Sequence, residues 1–97
     1  MLDGKYASSL NTPMGPLNGT ITLQCNGNQV QGILEIMGMR NTFQGRKTKE
    51  NACAFQGNLN TPMGNISYDA TCTVMNNQLE LAANTNKGNF RIMGKRV

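Results

Sequence analysis

The hexapeptide Leu-Asn-Thr-Pro-Met-Gly occupies residues 10–15 of a 97-residue chain and returns at residues 59–64. Displacing the sequence against itself by those 49 residues aligns more than the hexapeptide. Tyr6 meets Phe55, Leu10 meets Leu59, Leu17 meets Ile66, Leu23 meets Cys72, Val30 meets Leu79, Phe43 meets Ile92 and Gly45 meets Gly94. The matched positions are mainly apolar, and those close together in the chain, Tyr6 with Leu10, Leu17 with Leu23 and Phe43 with Gly45, are an even number of residues apart, which is the spacing of one strand face. The chain is therefore expected to be all-β and built from two similar halves. Its length supplies one modest core, so residues 1–97 are read as a single domain.

Turn signals divide each half. Asn11-Thr12-Pro13-Met14-Gly15 sets Pro at the second position of a type I turn with Gly after it in the left-handed region, a recipe for a hairpin closed by a Gly bulge. Asn26-Gly27 is a two-residue hairpin signal, and Met37-Gly38-Met39, Lys49-Glu50-Asn51, Asn76-Asn77 and Asn86-Lys87-Gly88 break the chain at similar spacing. Seven turns leave eight strands, near 4–12, 16–25, 29–37, 40–48, 52–61, 65–75, 78–85 and 89–96.

Several of these strands alternate cleanly. Leu17, Gly19, Ile21, Leu23 and Cys25 share one face of the second, and Ile66, Tyr68, Ala70, Cys72 and Val74 share one face of the sixth. One face buried and one wet is the antiparallel pattern. Turns this short leave no room for crossover helices, so the topology is an up-and-down meander. Eight strands can close into a barrel, which removes both exposed edges, and a flattened sandwich of the same meander is the alternative.

In topology the whole chain resembles the lipocalins and avidin-like barrels of the calycin type, and more closely a set of small bacterial lipocalin-like domains with repeated Thr-Pro-Met-Gly hairpins. Gly4-Lys5-Tyr6 stands where lipocalins carry Gly-x-Trp at the start of the first strand. Arg96 stands near the end of the last strand, and the resemblance implies that it packs across Tyr6. The short helix with which that family closes one barrel end has no counterpart residues here.

The meander assigns loops to ends, and it gathers Met14, Met37, Met39 and Met63 at one mouth, away from the termini. Flexible, polarizable methionines there make either a soft cap over the core or a pliant portal for an apolar ligand. Thioethers also suit Cu(I), but neither a His nor a metal-spaced Cys pair supports a metal, and no metal or other cofactor is expected. The candidate ligand-binding residues are Tyr6, Leu10, Phe43, Phe55, Leu59 and Tyr68 in the lumen with Met14, Met37, Met39 and Met63 at the rim. Tyr6 and Tyr68 are polar handles for a ligand unless Ser8 or the backbone takes their hydroxyls. Gly19, Gly32, Gly45 and Gly57 fall inside strands, where glycine marks bends or close approaches.

Catalysis is not expected. The chain has no His, and Asp3, Glu35, Glu50, Asp69 and Glu80 sit at a terminus, on turns or at outward strand positions without a paired geometry. Cys25, Cys53 and Cys72 lie on inward faces and read as small, reduced core residues. The net charge of +4 includes Arg40, Arg46, Lys47 and Lys49 on the fourth strand and turn, with Arg91, Lys95 and Arg96 on the eighth. Without outward aromatics for base stacking, that face reads as a solvated surface rather than a nucleic-acid site. No apolar run approaches a membrane span, and residues 1–4 lack the features of a leader. Those features and the odd cysteine count favour the cytoplasm, or the periplasm or exterior if a leader was removed. The functional expectation is a non-catalytic module for a small hydrophobic ligand. The alternative is a filled barrel that acts as a structural or self-associating homo-oligomeric domain.

Overall fold

The computed structural model describes residues 2–12, 15–36, 38–61, 64–86 and 88–97, with the side chains of residues 11, 12, 39 and 59–61 outside that description. Eight strands run in order: β1 Gly4–Thr12, β2 Gly15–Asn26, β3 Gln29–Ile36, β4 Met39–Lys49, β5 Ala52–Thr61, β6 Gly64–Met75, β7 Gln78–Thr85 and β8 Gly88–Arg96. Each pairs antiparallel with its neighbour, and β8 pairs back onto β1 from Tyr6 opposite Arg96 to Leu10 opposite Ile92, so the meander closes as a barrel. The strand limits expected from the turns are met within one residue, and the sandwich alternative is set aside by the β1–β8 ladder.

Closure rests on chemistry local to each turn. At Asn76-Asn77 both residues take positive φ, 52° and 64°, the conformation of a type I′ hairpin whose twist matches that of the strands. The hairpin before β3 turns at Gly27-Asn28, one residue later than Asn26-Gly27 suggests, because Asn26 pairs with Gln29 and Gly27 takes φ 64°. The two Thr-Pro-Met-Gly hairpins differ from expectation in a second way. No Gly bulge closes them: Thr12 pairs directly with Gly15 and Thr61 with Gly64, and the register continues unbroken. The glycines take φ 109° and 106° within the ladder, so the twist that an extra residue would absorb is absorbed by backbone angles open to glycine. The bulge of the barrel lies between Lys47 and Lys49, where β4 shifts against β5.

Pairings in the second half mirror those in the first. Leu10 opposite Leu17 is matched by Leu59 opposite Ile66, Leu23 opposite Gly32 by Cys72 opposite Leu81, and Val30 opposite Gly45 by Leu79 opposite Gly94.

Inward residues build one core. Tyr6, Ile21, Leu23, Val30, Phe43, Cys53, Phe55, Cys72, Leu79 and Ile92 are buried together, with Leu10, Cys25, Leu34, Tyr68 and Ala83 packed against them. Three inward glycines explain how large rings fit into a narrow barrel. Phe43 lies opposite Gly32, Phe55 opposite Gly45 and Tyr68 opposite Gly57, and each ring covers the space a Cβ would occupy on its glycine. The rings of Phe43 and Phe55 then meet edge to face at 4.5 Å and 87° in the middle of the lumen.

Candidate functional site

The two ends of the barrel are built differently. At the end that carries the termini, Leu2 is 1% exposed and its carbonyl accepts a 2.8 Å hydrogen bond from the Tyr6 hydroxyl. The Arg96 guanidinium lies over the Tyr6 ring, 5.0 Å from its centroid, and donates to the Asp3 carbonyl from Nη1 and to Asn77 Oδ1 from Nε. The contact between Tyr6 and Arg96 that the resemblance implied is present. Leu2 was missed as a core residue. It seals this end of the barrel, and its signal is a lone apolar residue just ahead of the first strand.

Backbone bonds tighten the same end. The carbonyls of Asn28, Asn51 and Asn77, each the last residue of a turn, accept from the amides of Lys47, Val74 and Arg96 on the strand beyond. The carboxylate of Asp3 accepts a 2.8 Å bond from the Cys25 amide, and this bond holds its pKa below the ordinary carboxylate value. A depressed carboxylate pKa stabilises the fold above the unfolded value of 3.8, and that contribution is lost as pH falls through the lower folded value. The expected result is that Asp3→Asn loses stability at neutral pH but shows a flatter decline than the parent below pH 3.8, measured by urea unfolding across the acid range. Identical slopes for both proteins would remove Asp3 from the seal.

All three cysteines lie towards this sealed end. Cys53 and Cys72 face each other across β5 and β6 and are buried, and Cys25 is half-buried. A hydrogen bond to the Cys72 side chain, with burial, pushes the Cys53 thiol far up, and burial raises Cys25. Thiols so held are poor nucleophiles. Among the described residues no cluster of three His, Cys, Asp or Glu side chains is arranged to hold a metal ion.

The basic residues are distributed rather than gathered on one face. Arg40, Arg46, Arg91 and Lys95 are exposed on the outer wall, whereas Lys47 and Arg96 are half-buried and fall in step with the inward positions, at the sealed rim. The expected basic face is thereby corrected: strand parity turns Lys47 and Arg96 away from it. Arg91 Nε lies 3.5 Å from Glu80 Oε1 in an exposed pair, which contributes little.

At the opposite end, inward side chains stay within reach of solvent. Leu10, Leu17, Leu34, Ile66, Tyr68 and Phe90 are all half-buried, although they continue the faces that carry the fully buried core below. The predicted lumen residues thus divide by depth. Tyr6 belongs to the seal, where the backbone takes its hydroxyl; Phe43 and Phe55 fill the middle; Leu10 and Tyr68 stand in the upper half. Leu59 lies opposite Ile66 on β5 and Met39 opposite Ile36 on β4, so both occupy inward register positions near the open end. Met14, Met37 and Met63 lie outside the described residues.

Two surface depressions also occur. One, of about 280 Å³, lies on the outer wall of β2–β4 between Thr22, Gln24, Gln31, Ile33, Thr42 and Gln44, and the other, of about 330 Å³, adjoins Asp3 and Gln29.

No family model matches the chain, and no curated protein matches it. Among solved structures the chain is similar to a redesigned β-barrel, with a TM-score of 0.71 at 13% identity over 99% of this chain and 91% of that one. The likeness covers the barrel from end to end and is a likeness of fold. Among the described residues no helix is long and apolar enough to cross a membrane.

Proposed function

We propose that this protein is a non-catalytic binding module that holds one small, mainly apolar molecule in the upper half of its barrel. The observation that carries the reading is the asymmetry of burial along the inward faces. Ile21, Leu23, Val30 and Leu79 are sealed beneath Leu2, while Leu10, Leu17, Leu34 and Ile66 at the other end keep part of their apolar surface in contact with water. Covering that surface with an apolar ligand removes it from water, which is favourable by about 25 cal/mol per Å². A binding role without chemistry is supported by the raised pKa values of the Cys53 and Cys25 thiols and by the exposure of the Glu35, Asp69 and Glu80 carboxylates, the last of which lies 3.5 Å from Arg91 Nε. The lipocalin-like reading belongs to the same proposal, and its support is the Arg96 guanidinium across Tyr6 beside a sealed end.

The test is titration with N-phenyl-1-naphthylamine, a neutral apolar dye, together with native mass spectrometry of freshly purified protein. Saturable 1:1 binding is expected, weakened several-fold in the Met14→Ser/Met63→Ser double variant with the circular dichroism spectrum unchanged. A parent protein that neither binds the dye nor carries a co-purified molecule would sink the reading. A second reading, self-association through the outer wall, is favoured by Met75, Met93 and Val97, which are exposed at 66%, 48% and 77%. The same native mass spectrum tests it, by showing a dimer.

A further inference from the structure

The two tyrosines of the lumen are in opposite states of hydrogen bonding. Tyr6 donates to the Leu2 carbonyl beneath the seal, whereas the Tyr68 hydroxyl meets no hydrogen-bond partner among the described residues. Among those residues no fully buried side-chain N or O lacks a partner, so the Tyr68 hydroxyl is one that solvent still reaches. Its ring is half-buried against the core, and its oxygen lies 3.0 Å from the point where a Cβ on Gly57 would stand. Glycine at that position leaves room for the hydroxyl end of the ring to lie close against β5.

We infer that Tyr68 is the polar anchor of the binding cup and that the ligand carries a neutral carbonyl oxygen which accepts a hydrogen bond from the Tyr68 hydroxyl. The inference rests on the binding reading above and names the ligand's chemistry. Three observations lead to a neutral acceptor. Partial burial raises the Tyr68 pKa, so the phenol stays protonated and acts as a donor throughout the physiological range. Leu10, Leu17, Leu34, Ile66, Ala83 and Phe90, which share the inward faces of that half, are apolar, and the inward positions of the upper half carry no charged side chain among the described residues. A carboxylate would lose its hydration there with no cation to replace it. Among the described side chains the other half-buried inward polar groups near that end are Asn41 and Thr85, and the Thr85 hydroxyl already donates to the Gly88 carbonyl at 2.6 Å.

The experiment compares two dyes on the full chain and its Tyr68→Phe variant. N-phenyl-1-naphthylamine has no carbonyl; 6-propionyl-2-(dimethylamino)naphthalene carries a ketone whose emission reports hydrogen bonding. The expected result is that the variant binds the first dye as the parent does and binds the ketone dye roughly three- to tenfold more weakly, the value of one neutral hydrogen bond. The bound ketone's emission should also move to shorter wavelength. Melting temperature should not fall, because the hydroxyl has no partner to lose, and Tyr6→Phe serves as the contrast because its hydroxyl does. Equal affinity of parent and variant for both dyes overturns the anchor while leaving the binding module intact. Equal weakening for both dyes also overturns it, since that marks a packing role for the ring. A parent that binds neither dye removes the binding reading and the anchor with it.

Discussion

Gly45→Ala is expected to unfold the barrel or cost about 3 kcal/mol or more, at the upper end of overpacking effects, because the added methyl has nowhere to go. A Cβ on Gly45 falls far inside van der Waals contact of the Ala54 carbonyl oxygen and 2.5 Å from Phe55 Cδ1. The ring could turn aside only by displacing Phe43, which it meets edge to face, and the carbonyl could move only by opening the β4–β5 ladder. Gly15→Ala separates this effect from backbone strain. Nothing lies within 4 Å of a Cβ at Gly15, whose φ is 109°, so the cost there is conformational and about 1 kcal/mol. Urea midpoints for the two variants should therefore differ severalfold in their shift. Equal shifts would mean that Phe55 does not lie over Gly45.

Tyr6→Ala is expected to cost about 3–5 kcal/mol, the range for removing a buried aromatic ring. Tyr6 is 0% exposed, bonds the Leu2 carbonyl and underlies Arg96, so its removal empties the floor of the barrel and releases the residue that closes it. For a domain of this size the melting temperature should fall by on the order of 15–30 °C. Tyr6→Phe keeps the ring and loses only the hydroxyl, at about 1 kcal/mol. If Tyr6→Ala and Tyr6→Phe melted together, the ring would contribute nothing beyond its hydrogen bond, and the seal would have to be reassigned to Leu2 and Arg96 alone.

Much of this was legible residue by residue. Alternation along β2 and β6 told which side chains turn inward, and the asparagine pair at 76 and 77 located a hairpin to the residue. The position of Tyr6 beneath Arg96 was legible only through the resemblance carried by Gly4-Lys5-Tyr6 near one end of the chain and Arg96 near the other. What was not legible depends on which strands meet. Gly32, Gly45 and Gly57 read as bends or close approaches without a partner named, and the aromatic ring that lies over each from the next strand is a relation that exists only in the paired register. Lys47 reads as surface charge, but its place in step with Phe43 and Gly45 turns it to the sealed rim. Leu2 has no strand pattern to mark it.

The sequence alone determined the strands, the turns between them and the inward set, because each depends on backbone preferences and a two-residue period carried within a few neighbouring positions. Only the tertiary structure decided that β8 closes onto β1 and that the end bearing the termini is sealed while the other leaves its apolar faces half-covered. Those outcomes depend on contacts between residues far apart in the chain. Leu2 can plug the barrel only where Tyr6 and Arg96, on the two strands whose pairing closes it, are brought together to receive it.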